Sequence, residues 1–302
     1  MNNPDFTKTG NSVWNQPFVD YMKQWLSTAE IEKSPDQADV FLELYPKWIK
    51  SSKLNKFTGL DSFPNRFVSL GVTQAMDWWH YWTLSEGRNF KMFRGEYPYN
   101  RDVWLGEEIL WEHSIDDTGI QPGDSVIVSV PFSGHGRKHD KWDWLMSECN
   151  EKNVPVFVDC AWFGTCFDIE VNLDEPCIKQ VGFSTGKGLS CGNSRSGIVF
   201  HKLNIEKNSL AVQTEWKHGI HLNVAIAVAL MNEFSPDTIA KKYMISHQLV
   251  CEHYGFETTN TVHIAEAPKQ DPWNDFHRDG VYNRVNIAKA IKRHKSKGSF
   301  YE

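Results

Sequence analysis

Short, mostly apolar segments that alternate with helical stretches are the feature that most limits how this 302-residue chain can fold. Two of them are SVIVSVP (residues 125–131) and VPVFVD (residues 154–159). A strand that lacks a polar face is buried on both sides, which is typical of a parallel sheet between two layers of helices. The sequence therefore predicts an α/β fold with a ligand crevice at the carboxyl ends of its strands.

The alternation continues along the chain and predicts its organisation. Further strands are predicted at residues 90–94, 178–184 and 197–200, and helices at residues 18–26, 40–49, 75–84, 103–113, 141–153, 222–234 and 285–294. We expect three parts: an N-terminal helical segment (1–60), a large α/β domain (61–236) and a small C-terminal α+β domain (237–302).

Composition argues against several classes of function. A net charge of -6 and a pI near 6.1 do not favour a nucleic-acid partner. No segment approaches the run of about 20 apolar residues that a membrane span needs, and the first residues lack the apolar stretch of a signal peptide. The six cysteines form no C-x-x-C pair, so we expect reduced thiols and a cytoplasmic protein.

Histidines raise the question of a metal site. They include His113 and the two histidines of HGRKHD (residues 135–140), which lack a second ligand pair at suitable spacing. We therefore predict no metal and interpret residues 135–140 as a solvated loop.

The segment FSTGKGLSCGNSRSG (residues 183–197) places a lone lysine, Lys187, between two glycines directly after an apolar strand. A partly desolvated lysine has a lowered pKa, so its neutral amine can attack a carbonyl group. Arg195 can return to the same crevice and hold an anion with its planar guanidinium. A phosphate-binding P-loop fails on its glycine spacing, and a glycine-rich surface turn is the alternative interpretation.

The spacing of Ser184, Lys187, Arg195 and Gly197 resembles the lysine signature of fold-type-I enzymes that use pyridoxal 5'-phosphate (PLP), in particular the aspartate aminotransferase family. The resemblance covers roughly residues 67–288, in a chain shorter than typical members. It implies a PLP-dependent transferase-like large domain, a mainly parallel sheet between helices, and a small α+β C-terminal lobe. It also implies that Lys187 carries PLP as a Schiff base while Ser184 and Arg195 hold the phosphate.

Two further segments resemble the family's cofactor-binding motifs. In VDCAW (residues 158–162), Asp159 matches the aspartate that faces the pyridine nitrogen, whereas Trp162 stands where the family has a tyrosine. In LGVTQAM (residues 70–76), the resemblance implies phosphate contacts at the start of a helix. Those contacts would come from Gly71, Val72 and Thr73.

Two more segments resemble the loop that stacks on the cofactor ring and the site that binds the substrate. FRGEYPY (residues 93–99) offers Tyr97 as the stacked aromatic residue, with Tyr99 as the alternative. YNRVNIA (residues 282–288) offers Arg284, whose family counterpart binds the α-carboxylate of the substrate.

One family feature is absent. The stretch SVPFSGHG (residues 129–136) has no asparagine to hydrogen-bond the ring hydroxyl, and Ser129 or Ser133 would have to replace it. Together with Trp162, this gives two departures on the same side of the ring. The resemblance implies a homodimeric aminotransferase for an α-amino acid and a keto acid. The alternatives are a PLP-dependent lyase, decarboxylase or racemase, and a non-catalytic protein with the same fold.

Overall fold

The structure is a computed structural model that describes residues 5–29, 37–104, 114–217 and 221–297. The predicted helix at 103–113 lies almost wholly outside the described residues, as does His113. The helices are α1 (Gln16–Thr28), α2 (Ala38–Lys50), α3 (Gly71–Ser85), α4 (Tyr99–Asp102), α5 (Ile115–Thr118), α6 (Trp142–Glu151), α7 (Thr185–Gly188), α8 (Ser209–Glu215), α9 (His221–Glu233), α10 (Thr238–Tyr254) and α11 (Ala288–Lys297). The strands are β1 (Asn55–Thr58), β2 (Asn65–Ser69), β3 (Asn89–Lys91), β4 (Asp124–Ser129), β5 (Val156–Cys160), β6 (Ile169–Asn172), β7 (Ile178–Ser184), β8 (Gly197–His201), β9 (Ile264–Glu266), β10 (His277–Arg278) and β11 (Tyr282–Asn286).

The central sheet has the strand order β2-β8-β7-β5-β4-β3. Strand β8 runs antiparallel to both of its neighbours, and the remaining pairs are parallel. The predicted α/β fold with a mainly parallel sheet is confirmed.

Alternate residues of the central strands enter two separate hydrophobic cores. Along β4, Val126 and Val128 belong to one core, whereas Ile127 belongs to the other. Successive side chains of a strand point to opposite faces, so both faces of the sheet are covered. Helix α3 and Leu210 of α8 pack on the Ile127 side, and α2, α6 and α9 contribute to the opposite core.

The C-terminal part is a three-stranded antiparallel sheet, in the order β10-β11-β9, with α10 and α11 beside it in sequence. The predicted helix at 285–294 is wrong over its first residues. Residues 285 and 286 end strand β11, and the helix begins at Ala288, whose N–H donates to the side chain of Asn286 over 2.9 Å.

The HGRKHD loop is not solvated, which corrects the sequence-based interpretation. His135 and His139 are 3% and 5% exposed. The ring of His139 stacks on Phe93 at 3.9 Å between centroids, and His135 packs against Tyr282. Burial lowers the pKa of both imidazoles, to about 3 for His135 and about 4 for His139. In the described ranges, no group of three or more potential ligands is arranged to hold a metal ion.

All six cysteines are buried free thiols. Over the part of the chain that the structure describes, every helix is too short or too polar to cross a bilayer.

Candidate active site

The carboxyl ends of β4, β5 and β7 lie side by side and open into a cleft. Parallel strands bring their carboxyl ends to one edge of the sheet, so Ser129 pairs with Asp159, and the Lys187 loop follows the next strand. The cleft is lined by Val72, Thr73, Met76, Tyr97, Ser129, Pro131, Ser133, Asp159, Ala161, Trp162, Ser184, Lys187 and Arg195.

Lys187 lies on the single-turn helix α7, which begins as soon as β7 ends. The hydroxyl of Ser184 accepts a hydrogen bond from the Gly186 N–H over 3.3 Å and caps this turn. A Cβ at Gly188 would lie 2.8 Å from the Phe163 carbonyl oxygen, so only glycine fits there. Burial lowers the pKa of the Lys187 amine, while the Asp159 carboxylate raises it and Arg195 and Arg284 lower it further.

Asp159 lies near the end of β5 with its carboxylate buried. One oxygen accepts a hydrogen bond from the Ala161 N–H over 2.7 Å. Burial raises the pKa of Asp159 to about 6, against the opposing effect of the Lys187 charge. Because the buried carboxylate has little solvent to stabilise its charge, a cationic partner would be strongly favoured.

A narrow corner, here called the anion-binding corner, forms where the start of α3 meets the segment of residues 183–197. Gly71 has a φ of +70°, and a Cβ there would lie 3.2 Å from Cδ of Arg195 and 3.4 Å from Oγ of Ser184. Helix α3 starts at Gly71, and the unpaired N–H groups of a first helical turn favour an anion. The Arg195 carbonyl accepts a hydrogen bond from the Asn223 side chain over 3.0 Å, which ties the backbone of Arg195 to α9.

Tyr97, rather than Tyr99, lines the cleft. The two rings stack with centroids 5.8 Å apart, and the Tyr99 hydroxyl donates to Asp77 over 2.5 Å. Burial and then the charge of Asp159 raise the pKa of Tyr97, whereas the positive charges of Arg195, Arg278 and Arg284 lower it. Tyr97 thus lies among the charged groups of the site.

Arg284 lies behind the cleft wall rather than in its lining. Its guanidinium carbon is 5.8 Å from the centre of the Trp162 ring. It donates to the carbonyl oxygens of Ser133, over 3.1 Å, and of Lys8, and its Nε is buried without a partner among the described residues. Burial, and then the positive charge of Arg278, lowers the pKa of Arg284 well below its ordinary value. A buried guanidinium bonded only to carbonyls favours an arriving carboxylate, which would stabilise its charge.

A hydrogen-bonded chain that the sequence did not reveal runs beside the cleft. Glu96, 1% exposed, accepts from the Ser129 hydroxyl over 2.5 Å, the Ser129 N–H over 2.7 Å and the Tyr97 N–H over 2.7 Å. The Ser129 hydroxyl in turn accepts from the Ser133 N–H over 2.8 Å. The Ser129 proton and one of its two lone pairs are therefore engaged, and both Ser129 and Ser133 line the cleft. Burial raises the pKa of Glu96 to about 7.

Residues 7–11, here called the N-terminal segment, lie over the site, which the sequence also did not reveal. Thr7 pairs with Asn286, whose side chain donates to the carbonyls of Thr9 and Asn11. A Cβ at Gly10 would lie 3.6 Å from the Trp162 ring and 3.9 Å from Cε of Lys187. The segment has no periodic pattern by which it could have been found.

His263 is a second buried group that sequence reasoning missed. It is fully buried, its ring lies 5.3 Å from that of Trp162, and neither nitrogen has a hydrogen-bond partner in the described ranges. Burial, followed by the charges of Lys187 and Arg284, lowers its pKa well below the ordinary value, and the Gly10 backbone opposes this.

Comparison with solved structures shows a likeness to aminotransferases. The aromatic aminotransferase of Pyrococcus horikoshii OT3 has a TM-score of 0.67 at 15% identity, covering 95% of this chain and 94% of that one. A tetra mutant of aspartate aminotransferase from Thermus thermophilus has a TM-score of 0.65 at 12% identity, with 94% and 92% covered. A PLP-bound protein of Clostridium difficile 630, named as an aminotransferase, has a TM-score of 0.68 at 12% identity, with 93% and 89% covered.

Comparison of the sequence with protein-family profiles and with curated proteins gives no match. The structural likeness therefore establishes the fold, and it extends over nearly the whole length of both chains. This is the fold that the Lys187 signature implied.

Proposed function

We propose that this chain, which has the fold of PLP-dependent aminotransferases, is itself a PLP-dependent aminotransferase that acts on an α-amino acid and a keto acid. The observation that carries the proposal is the convergence of Lys187, Asp159 and Arg195 in one cleft. The lysine and the arginine come from one segment and the aspartate from another strand. An amine, a buried acid and an anion-binding corner are the three groups that an aldehyde-bearing, phosphorylated pyridine requires.

The residues present fit PLP. The corner made by Gly71, Ser184 and Arg195 has room for an anion only because residue 71 has no Cβ. A phosphate there could accept hydrogen bonds from the Ser184 hydroxyl, the Arg195 guanidinium and the N–H groups of Val72 and Thr73. The buried Asp159 suits the pyridinium nitrogen, and Tyr97 offers an aromatic face for the ring.

When bound, PLP supplies an aldehyde that links covalently to amines and a ring that withdraws electrons from the substrate α-carbon. Lys187 contributes an amine whose pKa burial has lowered, so more of it is neutral and able to attack a carbonyl. The same amine, when not linked to the cofactor, would remove the substrate α-proton as a general base.

The remaining residues of the site would hold the cofactor and orient the substrate. Asp159 keeps the ring nitrogen protonated through its buried negative charge. Arg284 exchanges its carbonyl partners for the substrate α-carboxylate, which fixes the α-proton relative to Lys187. The N-terminal segment, with Gly10 against Trp162 and Lys187, excludes water from that side of the site.

The test is to locate the covalent link. The protein is incubated with PLP, reduced with borohydride and digested, and the modified peptide is identified by mass spectrometry. We expect the label on Lys187, its loss in Lys187→Ala and its retention in Lys179→Ala, a lysine on the same strand-and-turn unit. A label elsewhere, or none, would overturn the proposal.

The reaction type has its own readout. Adding amino acids to the loaded protein should produce keto acids together with the amine form of the cofactor. Substrate loss without that form would instead support elimination, decarboxylation or racemisation.

We also propose that the protein is a homodimer. Leu70 and Leu222, 42% and 40% exposed, adjoin the elements that hold Arg195, where a second copy would cover them. Size-exclusion chromatography with light scattering distinguishes the dimer from the monomer. The buried free thiols fit a reducing compartment and support a cytoplasmic location.

A further inference from the structure

The strand order of the central sheet places Ser129 and the anion-binding corner on opposite sides of Asp159. Strand β5, which carries Asp159, lies between β7 and β4. The corner is on the β7 side, where Ser184 ends that strand, whereas Ser129 ends β4 and pairs in register with Asp159. Neighbouring strands lie about 4.8 Å apart. Ser129 is therefore one strand spacing away from the acid, on the side that the corner leaves free.

The polar groups of PLP follow the same order, and the inference rests on the proposed function in this respect. On the pyridine ring, the carbon that carries the phosphate arm and the carbon that carries the hydroxyl lie on opposite sides of the line from the nitrogen to the aldehyde carbon. With the nitrogen at Asp159, the aldehyde at Lys187 and the phosphate in the anion-binding corner, the hydroxyl is directed to the Ser129 side. Ser129 lines the cleft there.

The hydroxyl of Ser129 can present either a lone pair or a proton to the cleft, and Glu96 decides which. A serine hydroxyl has one proton and two lone pairs. Here the proton goes to Glu96 over 2.5 Å, and one lone pair accepts the Ser133 N–H over 2.8 Å, which leaves the second lone pair. When Glu96 is protonated, its own O–H can donate to that lone pair, and the Ser129 proton is then free to turn toward the cleft.

The carboxyl of Glu96 is held in place by the backbone, so its protonation changes hydrogen bonds without moving the group. It accepts the N–H groups of Tyr97 and Ser129, each over 2.7 Å, and it is 1% exposed. Burial raises its pKa to about 7, against the lowering effect of these hydrogen bonds. Neutral and charged forms are therefore both accessible near neutral pH.

Charged side chains of neighbouring elements also act on Glu96. The charge of Asp159 on β5 raises its pKa further. Arg278 on β10 is close enough for Glu96 to raise the pKa of that arginine. Asp279, which follows β10, accepts the Gly95 N–H over 2.9 Å and pairs with Arg101 over 3.2 Å. Because charges of both signs surround it, burial remains the largest influence on the protonation of Glu96.

We propose that Glu96 is a positioning residue that takes up a proton when the cofactor binds and, through Ser129, turns a hydrogen-bond donor toward the ring oxygen. A 3-hydroxypyridine whose nitrogen is protonated readily loses its hydroxyl proton, so the oxygen that faces Ser129 is an anion. A donor stabilises this anion, whereas a charged Glu96 would repel it. The proton comes from solvent and stays on Glu96, and no covalent bond to carbon forms or breaks.

The test counts the protons taken up when pyridoxine 5'-phosphate binds to the full chain free of PLP. This ligand has the ring hydroxyl, the nitrogen and the phosphate but no aldehyde, so it binds without a covalent link to Lys187. Calorimetry in buffers of different ionisation enthalpy gives the proton count. Wild type is compared with Glu96→Gln, whose amide N–H can donate to Ser129 at any pH, as the neutral acid does.

The expected difference follows from the pKa of Glu96, which is about 7. Wild type should take up about one proton more than Glu96→Gln at pH 8, where Glu96 is ionised before binding, and about none more at pH 5.5, where it is already neutral. Over the same change, the affinity of wild type relative to the variant should fall about tenfold between pH 6 and pH 8. A merely structural role of Glu96 would not give this pH profile.

Two further variants test the route and the specificity of the effect. In a Ser129→Ala background, adding Glu96→Gln should change the proton count by less than half as much as it does in wild type, because the connecting hydroxyl is gone. A full effect without the hydroxyl would contradict the route through Ser129. Glu148→Gln is the matched control, since Glu148 is a partly buried carboxylate on α6 that pairs with Lys152. It should behave as wild type.

Infrared difference spectra observe the proton directly. Adding pyridoxine 5'-phosphate at pH 8 should produce the C=O band of a protonated carboxylic acid in wild type and in Glu148→Gln, and no such band in Glu96→Gln. A band that survives the Glu96 substitution, or equal proton counts in wild type and Glu96→Gln, would overturn the inference.

Borohydride labelling with PLP in the same preparations keeps the two proposals apart. Labelled Lys187 together with equal proton counts refutes the role of Glu96 alone. Absence of the label refutes the proposed function, and the role of Glu96 falls with it.

Discussion

The Asp159 carboxylate and the Lys187 amine, at the ends of neighbouring strands, shift each other's pKa. Burial is the largest effect on both groups, and it disfavours the charge on each. The charge of Lys187 lowers the pKa of Asp159, and the charge of Asp159 raises that of Lys187. The pair is therefore poised so that a cationic ring nitrogen, once bound, would take over the role of Lys187 as the partner of Asp159.

Replacement of Asp159 by Asn tests that relationship. The amide keeps the shape of the side chain but removes the charge, so the ring nitrogen loses its partner. We expect turnover to fall by about 10²-fold or more, with weaker PLP binding in a fluorescence titration. Asp77→Asn is the control, since Asp77 bonds Tyr99 outside the cleft lining. Wild-type turnover in Asp159→Asn would contradict the assignment.

Alanine substitutions at two glycines separate backbone strain from crowding of the anion-binding corner. Gly71 and Gly87 both have positive φ, at 70° and 61°, so alanine should cost about 1–2 kcal/mol of stability at either position. A Cβ at Gly87 meets no atom within 4 Å, whereas one at Gly71 would press on Arg195 and Ser184.

Only Gly71→Ala should therefore weaken PLP binding, and we expect a loss of tenfold or more, since displacing one charge-assisted contact costs about 1.5–3 kcal/mol. Urea unfolding measures the stability and fluorescence titration the affinity. Equal affinity losses in the two variants would show that the corner does not hold the phosphate.

Glu96 should make the stability of the unliganded protein depend on pH. Its carboxyl has a pKa of about 7 in the folded chain, against an ordinary value of 4.5, because burial disfavours the charge. The folded chain therefore holds a proton that the unfolded chain releases between these values. The stabilisation is present below pH 4.5 and is lost as the pH rises through 7, a loss of at most about 3 kcal/mol.

Glu96→Gln should remove this dependence. The difference in free energy of unfolding between wild type and variant should change between pH 4.5 and pH 8, with the wild type losing more. Glu257→Gln serves as the control, because Glu257 is an exposed partner of Arg137. Parallel curves for wild type and Glu96→Gln would contradict the burial of this carboxyl.

Phenylalanine at position 263 should stabilise the protein. His263 is fully buried, and neither nitrogen makes a hydrogen bond of normal geometry among the described residues, although the Gly10 backbone is near enough to raise its pKa. An unsatisfied buried polar group costs about 1–3 kcal/mol. A phenyl ring keeps the edge-on packing against Trp162 and removes that cost. A higher melting temperature is expected, and a fall would mean that the imidazole binds a group such as a buried water.

The sequence predicted those features that local composition encodes. Strands buried on both faces appear as apolar runs, so β4, β5 and β7 could be located, although the ends of β4 and β5 differ by one or two residues. The direction of β8 could not be predicted, because its run GIVF is equally apolar in either orientation. The helix predicted at residues 285–294 was wrong at its first residues, which belong to β11. Over so few apolar residues, the spacing typical of a strand cannot be distinguished from that of a helix.

Most of the predicted site residues line one cleft. The residues that pack around them could not be predicted from the sequence. Glu96 meets Ser129 through pairing across 33 residues, which nothing in either local segment marks.

The contact between the N-terminal segment and β11 joins the two ends of the chain at the site, and this has a consequence for biosynthesis. The cofactor corner and Lys187 lie within residues 71–195, which leave the ribosome well before Arg284 and Asn286. The carbonyl of Lys8 has no guanidinium to bind until the last strand has emerged. Under the proposed function, the residues that would hold PLP are therefore synthesised before the arginine that would bind the substrate.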